Sequence, residues 1–315
     1  MTSIERFQII LILLSAALGL FLSQFSWFSQ NGGKFVIPFL ILMLTIVFLN
    51  TPLRDMSKAF KNLRFSGLSL VINFLWTPLL AWLIGTVFLK GEPDLWMGFL
   101  MLLVTPCTDW YLVFTQMAGG QVALATTLLP WHLILQLVLL PFYLFIFAEK
   151  LVPIHINVLL LSVFFALLIP LTIKFVLEMF FKFNKKEEWF KNVLIPKIAP
   201  FQLIFLFLAI AAMFSSQGKA ILSNPEATFK LIPPLLLFYG FNLILGLNVC
   251  KLSGIDNKSS IGFCFSILAR NSPIALAIAA TAFPERPVIA LALIIGPLIE
   301  LPALAAIANF FRRRD

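Results

Sequence analysis

Apolar residues run almost unbroken along this chain, and polar residues gather in short clusters between the runs. The runs lie near 7–23, 34–50, 65–89, 95–118, 121–147, 154–180, 195–215, 229–250, 259–283 and 287–311. About 20 apolar residues carry a helix across roughly 30 Å of hydrocarbon, so each run predicts one membrane-crossing helix. The first two runs are short and the fifth is long, so the tilts must differ. None alternates as a barrel strand would, and a helix satisfies its own backbone where no water reaches. The expected fold class is therefore all-α: a polytopic membrane protein with ten transmembrane helices. The longest connection, about 181–194, leaves no room for a soluble domain.

Composition sharpens this picture. The chain is 61% hydrophobic and 12% charged, carries 35 Phe, and has a mean hydropathy of +1.00. Soluble domains are about 25% charged, so a soluble enzyme is excluded. The net charge of +9 sits in clusters between the runs, so membrane anchoring is expected and nucleic-acid binding is not. Arg6, then Arg54, Lys58, Lys61 and Arg64, then Lys182, Lys185, Lys186 and Lys191, then Lys251 and Lys258, then Arg312, Arg313 and Arg314 fall on one side. Lys34, Lys90, Lys150, Lys219, Lys230 and Arg286 fall on the other. Positive charge marks the cytoplasmic face, which places both termini in the cytoplasm and the chain in the cell (inner) membrane. The Asn257-Lys258-Ser259 sequon then falls on the cytoplasmic side and reads as chance. The first run lacks a small-residue cleavage site, so no cleaved leader is expected. Three widely spaced cysteines give no disulfide framework.

Two runs are interrupted at matching points. The fourth reads LLVTPCTDWYLVF around Pro106, and the ninth reads FSILARNSPIALAIA around Pro273. Proline removes a backbone donor and clashes with the preceding turn. Thr105, Thr108 and Asp109 deepen the first break; Arg270, Asn271 and Ser272 deepen the second. Pro130 and Pro297 each follow 24 residues after the earlier proline. This spacing predicts two five-helix repeats, 1–150 and 151–315, inverted because five is odd. Paired polar breaks in inverted halves point to a transporter site, and the fourth and ninth helices are expected to cross there.

Ionisable residues near the middle of a span cost roughly 2.5–3.5 kcal/mol each on insertion scales. Three such residues stand out: Asp109, Arg270 and Glu300. Asp109 and Arg270 would meet if the breaks cross, as a structural brace or as a gate. Glu300, in GPLIELPAL, has no cation fixed beside it in sequence. It suits a proton carrier, with capping of a kinked backbone as the plain alternative. Cys107, in TPCT, is a soft donor for thiophilic ions or a small apolar filler. Cys264 is placed to approach it, and Cys250 to pack near a helix end. His132 is either a proton relay or a hydrogen-bonded packing residue, and His155 is interfacial. Lys174 is expected to snorkel. Asn73, Gln136, Gln202, Asn242 and Asn248 line a path or bond between helices. Gly119-Gly120 forms the turn between the fourth and fifth spans.

TPCT in the fourth span, the Asn-containing break in the ninth, and GPLIELP in the tenth resemble the arsenite permeases of the arsenical-resistance class, and more widely the bile acid:sodium symporter superfamily. The ten-span pattern extends this resemblance over nearly the whole chain. It implies a panel domain and a core domain, a site at crossed broken helices, and elevator or rocking motion. It implies functional roles for the Cys of the fourth-span motif and the Glu of the last, which fall on Cys107 and Glu300. The implied activity is arsenite or antimonite efflux driven by proton entry. Symporters of the superfamily carry an acid and a Gln around the ninth-span break; here the stretch is Arg270-Asn271-Ser272-Pro273. Typical arsenite permeases follow that break with a Glu, where this chain has Ile274 and Ala275. An Asp at position 109 also departs from the usual small residue.

The expected function is thus secondary transport of a small ion. Thr105, Cys107, Thr108, Arg270, Asn271 and Ser272 are the candidate substrate ligands, Asp109, His132 and Glu300 the coupling groups, and Pro106 and Pro273 the helix breaks. The alternative keeps the fold and carries an organic anion, bile-acid-like, held near Arg270 and coupled to Na⁺ or H⁺. An embedded enzyme using Asp109, His132 and Glu300 is disfavoured, since no nucleophile motif, metal-ligand spacing or cofactor loop accompanies them. No cofactor and no resident metal are expected, apart from Cys107 as an arsenite ligand. Partners are the lipid bilayer, the substrate ion and the coupling H⁺ or Na⁺; a homodimer stays open.

Overall fold

Backbone amides beyond the reach of water must bond to one another, and this chain does so through helices. A computed structural model describes residues 3–50, 62–108, 110–148, 156–222 and 225–313. In chain order its helices are α1 Ser3–Leu22, α2 Ser26–Asn31, α3 Gly33–Asn50, α4 Leu63–Val71, α5 Thr77–Phe88, α6 Pro93–Leu103, α7 Trp110–Met117, α8 Val122–Thr126, α9 Leu129–Ala148, α10 Ile156–Phe183, α11 Glu187–Trp189, α12 Ile195–Ile198, α13 Phe201–Leu222, α14 Pro225–Leu252, α15 Asn257–Leu268, α16 Ser272–Ala282 and α17 Pro287–Arg312. Single π-helical turns, Ile72–Trp76 and Phe190–Leu194, join α4 to α5 and α11 to α12. No strand occurs among the described residues.

Five helical runs are long and apolar enough to cross a bilayer: Gly33–Asn50, Leu63–Phe88, Val122–Phe147, Phe229–Leu252 and Pro287–Arg312. Glu187–Ile198 with Phe201–Ser216, bent by 41°, makes a sixth; Pro200 stands in that bend, where a proline kink is expected. The faces turned outward are apolar, with Leu75, Leu79 and Leu83 exposed on one run and Leu236, Phe241 and Ile244 on another. The chain is a multi-pass helical membrane protein.

The chain packs as two compact units, each interleaving segments from both sequence halves. The first comprises Met1–Thr51, His155–Asn224 and Leu276–Pro287. There α13 packs along α1 and α3, and α10 along α3. Small residues allow the close approach that drives helix association in lipid: a Cβ on Gly19 would lie 2.5 Å from the Ala211 carbonyl oxygen. Lys174 corrects its expected snorkelling. It is buried, its Nζ donates to the Phe48 carbonyl at 2.9 Å, and Glu178 lies 3.9 Å away. An acceptor on a neighbouring helix holds the ammonium where distance along its own helix suggested water.

The second unit comprises Pro52–Ile154, Pro225–Ala275 and Val288–Asp315 and holds nearly all the candidate chemistry. Its α6 and α17 touch through glycine: a Cβ on Gly98 would collide with the Ile289 carbonyl and come within 2.6 Å of Ala292 Cβ, and one on Gly296 within 2.5 Å of Leu102. Gly98→Val is therefore expected to wedge α17 away from α6 at a cost of about 1–3 kcal/mol, read as a lower unfolding temperature in detergent. Gly119, at φ +78°, makes the turn after α7 in a conformation that suits glycine. Asp256 caps α15 by accepting from the Ser259 amide at 3.1 Å, and the Ser259 bonds hold its carboxyl below the ordinary range. A group with a depressed folded-state pKa contributes stability above its unfolded pKa and loses it as pH falls through the folded one. Asp256→Ala should thus cost about 0.5–2 kcal/mol at neutral pH, and the difference from wild type should vanish in strong acid.

Candidate functional site

The two breaks meet within the second unit. Val104 to Thr108 end α6, and Ala269 to Asn271 separate α15 from α16. In an unbroken helix the residue at position 273 would donate to the Ala269 carbonyl; Pro273 has no N–H. That carbonyl instead accepts from the Cys107 amide at 3.0 Å. Likewise Pro106 leaves the Leu102 carbonyl free to accept from Thr105 Oγ1 at 3.0 Å. The Asn271 amide donates to the Thr105 carbonyl at 2.7 Å, so Pro106 and Arg270 face each other as one antiparallel bridge. Each proline thus vacates a backbone partner, and much of the vacancy is filled at the crossing. Pro273 itself sits in the first turn of α16, where a missing N–H is harmless.

Side chains lock this crossing. Asn271 Nδ2 donates to Thr108 Oγ1 at 3.1 Å, and its Oδ1 accepts from the Ile274 amide at 3.3 Å. Ser272 Oγ donates to the Leu293 carbonyl on α17. Arg270, 2% exposed, spends its guanidinium on the scaffold. Nη1 donates to the Leu103 carbonyl at 2.8 Å, Nε to Leu268 at 3.1 Å, and Nη2 to Asn73 Oδ1 at 2.9 Å and to the Ile267 carbonyl. It lies 5.2 Å from the centroid of the Phe238 ring. One cation thereby meets the carbonyl ends of α6 and α15, where the helix dipole favours positive charge. Glu300, also 2% exposed, accepts from the Arg270 backbone amide at 2.8 Å through Oε1. The partner absent from its own stretch of sequence is a main-chain donor in the other break.

His132 is fully buried with Nδ1 3.1 Å from the Cys107 carbonyl. A carbonyl only accepts, so Nδ1 carries hydrogen, and a neutral ring then offers Nε2 to Asn73 Nδ2 at 3.5 Å. Asn73 also donates to the Ser266 carbonyl at 3.1 Å. It lies in the π-helical turn, a distortion that recurs at functional sites. Cys107 itself is 1% exposed. Thr105, Cys107, Thr108, Arg270, Asn271, Ser272, His132 and Glu300 thus form one buried cluster. Asp109, and with it any Asp109–Arg270 pair, lies outside the described residues, as does His155.

Several buried polar atoms nearby lack a well-formed hydrogen bond: Thr77 Oγ1, both amide atoms of Gln136 and Asn242 Nδ2. The Tyr239 hydroxyl lies beside the Glu300 carboxyl, within reach of a hydrogen bond. Thr77 follows Asn73, and Gln136 follows His132, one helical turn on. Such groups are rare in folded interiors unless water or a ligand serves them. Sequence reading singled out Gln136 and Asn242 but missed Thr77 and Tyr239. The signal for Tyr239 was present: the chain has 35 Phe and only 3 Tyr, so each hydroxyl stands out. The other two bond carbonyls, Tyr111 that of Ala125 at 2.9 Å and Tyr143 that of Phe74 at 2.5 Å.

Crossed helix breaks with buried polar groups, inside a multi-pass helical bundle, are the architecture of a membrane transporter. Residues 37–224 match the sequence profile of the Sodium Bile acid symporter family, and the chain belongs to that family. Among its relatives is the arsenical-resistance protein Acr3 of Corynebacterium glutamicum, 27% identical over 96% of this chain and 87% of that protein. Acr3 of Alkaliphilus metalliredigens is 24% identical over 88% of this chain and 82% of its own length. The uncharacterized protein YbaS of Bacillus subtilis is 23% identical over 95% of this chain and 94% of its own.

Proposed function

We propose that this chain exports trivalent arsenic or antimony as the neutral hydroxide, driven by protons entering the cell. In this reading ten helices cross the membrane as two inverted repeats, 1–150 and 151–315, with both termini in the cytoplasm. The single observation that carries the site assignment is the placement of a thiol, Cys107, in a backbone crossing that also holds a buried carboxylate, Glu300. The relatives' arsenical resistance supports the cargo.

Sulfur is the soft donor that trivalent arsenic prefers. Its capture balances simply: the Cys107 sulfur bonds arsenic, one As–O bond breaks, and the hydroxide leaves with the thiol proton as water. The Tyr239 hydroxyl, beside Glu300, offers its oxygen as acceptor to a remaining arsenic hydroxyl. Thr77, Gln136 and Asn242 suit a hydrated route. Glu300 couples the proton: as a carboxylate it makes a charge-assisted bond to the Arg270 amide, and protonation weakens that bond and loosens the crossing. The organic-anion alternative has family membership in its favour. Against it, Arg270 already directs its donors at three carbonyls and Asn73.

Expression in cells stripped of their own arsenite exporter should raise arsenite tolerance and lower cell-associated arsenic. Normal membrane expression with no gain in tolerance would refute the cargo. Glu300→Gln keeps an oxygen for the Arg270 amide, so the fold should persist. Gradient-driven transport should nonetheless drop by at least about tenfold, the equivalent of about 1.4 kcal/mol. Transport by the Gln variant that still follows the pH gradient would remove Glu300 from coupling.

A further inference from the structure

The two cysteines that the transport site leaves unused come together elsewhere in the same unit. Cys250 on α14 and Cys264 on α15 are both free and buried, and their thiols interact. Glycine brings the helices close: a Cβ on Gly246, one turn before Cys250, would stand 3.0 Å from Cys264 Sγ.

A cavity of about 600 Å³ is lined by Cys250 together with Asn248, Lys251, Asn257, Ser260 and Phe311. Ser260 precedes Cys264 by one turn on α15, so the cavity borders both helices of the α14–α15 seam and touches Cys250.

We infer that Cys250 and Cys264 form a second, dithiol site for trivalent arsenicals, separate from the transport site and entered through the α14–α15 cavity. The ligand class follows from the donor count. Among the described residues no three His, Cys, Asp or Glu gather as a metal cluster, and two sulfurs fall short of the four ligands of a structural zinc site. An acceptor that completes its shell with two thiolates fits. For an arsenical R–As(OH)₂, two As–S bonds form and two As–O bonds break. Each hydroxide leaves with one thiol proton as water, and arsenic stays trivalent throughout. The product would staple α14 to α15.

The test uses the purified full-length protein in detergent and phenylarsine oxide, whose arsenic takes two thiols. Free thiols are counted before and after addition, with a simple monothiol present to strip singly held arsenic. Wild type and Cys107→Ala should each lose two thiols per arsenic bound, and both should unfold at a higher temperature when loaded. Cys250→Ser and Cys264→Ser should lose none and gain no thermal shift. Loss of the two-thiol signature in Cys107→Ala, or its survival in either serine variant, would overturn the inference. Since the readout is binding and not transport, failure here leaves the export reading standing, and failure of export leaves this site standing.

Discussion

Arg270→Gln should be the most damaging single substitution in the second unit. The guanidinium is almost wholly buried and serves the carbonyls of Leu103, Ile267 and Leu268 and the side chain of Asn73. Glutamine can replace at most two of these bonds. The remaining acceptors lose their donors in a medium where an unmet buried polar group costs about 1–3 kcal/mol. The buried charge that acts on Glu300 disappears as well. Removing one member of a buried charge network typically costs about 3–5 kcal/mol, so the variant should unfold at a much lower temperature in detergent and accumulate poorly in membranes. Arg270→Lys keeps the charge but not the planar fork, and should fall between wild type and Gln. An Arg270→Gln protein that melts with wild type would mean that the crossing does not depend on its brace.

Cys107→Ala should do the opposite, sparing the fold and removing the function. Cys107 helps hold the crossing through its backbone: its amide donates to the Ala269 carbonyl, and its carbonyl accepts from His132. Both survive truncation of the side chain, and loss of one buried sulfur should cost no more than about 1–2 kcal/mol. Transport of arsenite needs the sulfur itself. Tolerance conferred on arsenite-sensitive cells should collapse to that of cells without the gene, at unchanged membrane abundance. Cys107→Ser, nearly the same size but a hard donor, should fail equally; full activity in the serine variant would assign Cys107 to packing.

Much of the crossing was legible because proline leaves an unambiguous mark. Pro106 and Pro273, each flanked by polar residues in an apolar run, announced where helices stop, and the vacated carbonyls explain why the stops meet. Glu300 was visible as a buried acid, but its partner was not, because a backbone amide has no side-chain signature. Arg270 was weighed as a brace with Asp109 or as an anion ligand, and its carbonyl partners were invisible for the same reason. Tyr239 and Thr77 hid because one hydroxyl barely alters a run's hydropathy. The interleaved packing units were illegible for a deeper reason. Lipid-facing and helix-facing surfaces are equally apolar, so the order of residues along a span does not tell them apart. Lys174 was misread because depth was judged along its own helix, whereas the acceptor at Phe48 comes from another.

The most direct test of the account is uptake of arsenite by everted membrane vesicles under an imposed pH gradient. Export from cells becomes import here, with protons leaving the vesicle lumen as arsenite enters. Vesicles should accumulate arsenite when the lumen is acid, none without a gradient, and none with Cys107→Ala at any gradient. Accumulation indifferent to the gradient, or equal in the Cys107→Ala vesicles, would contradict it.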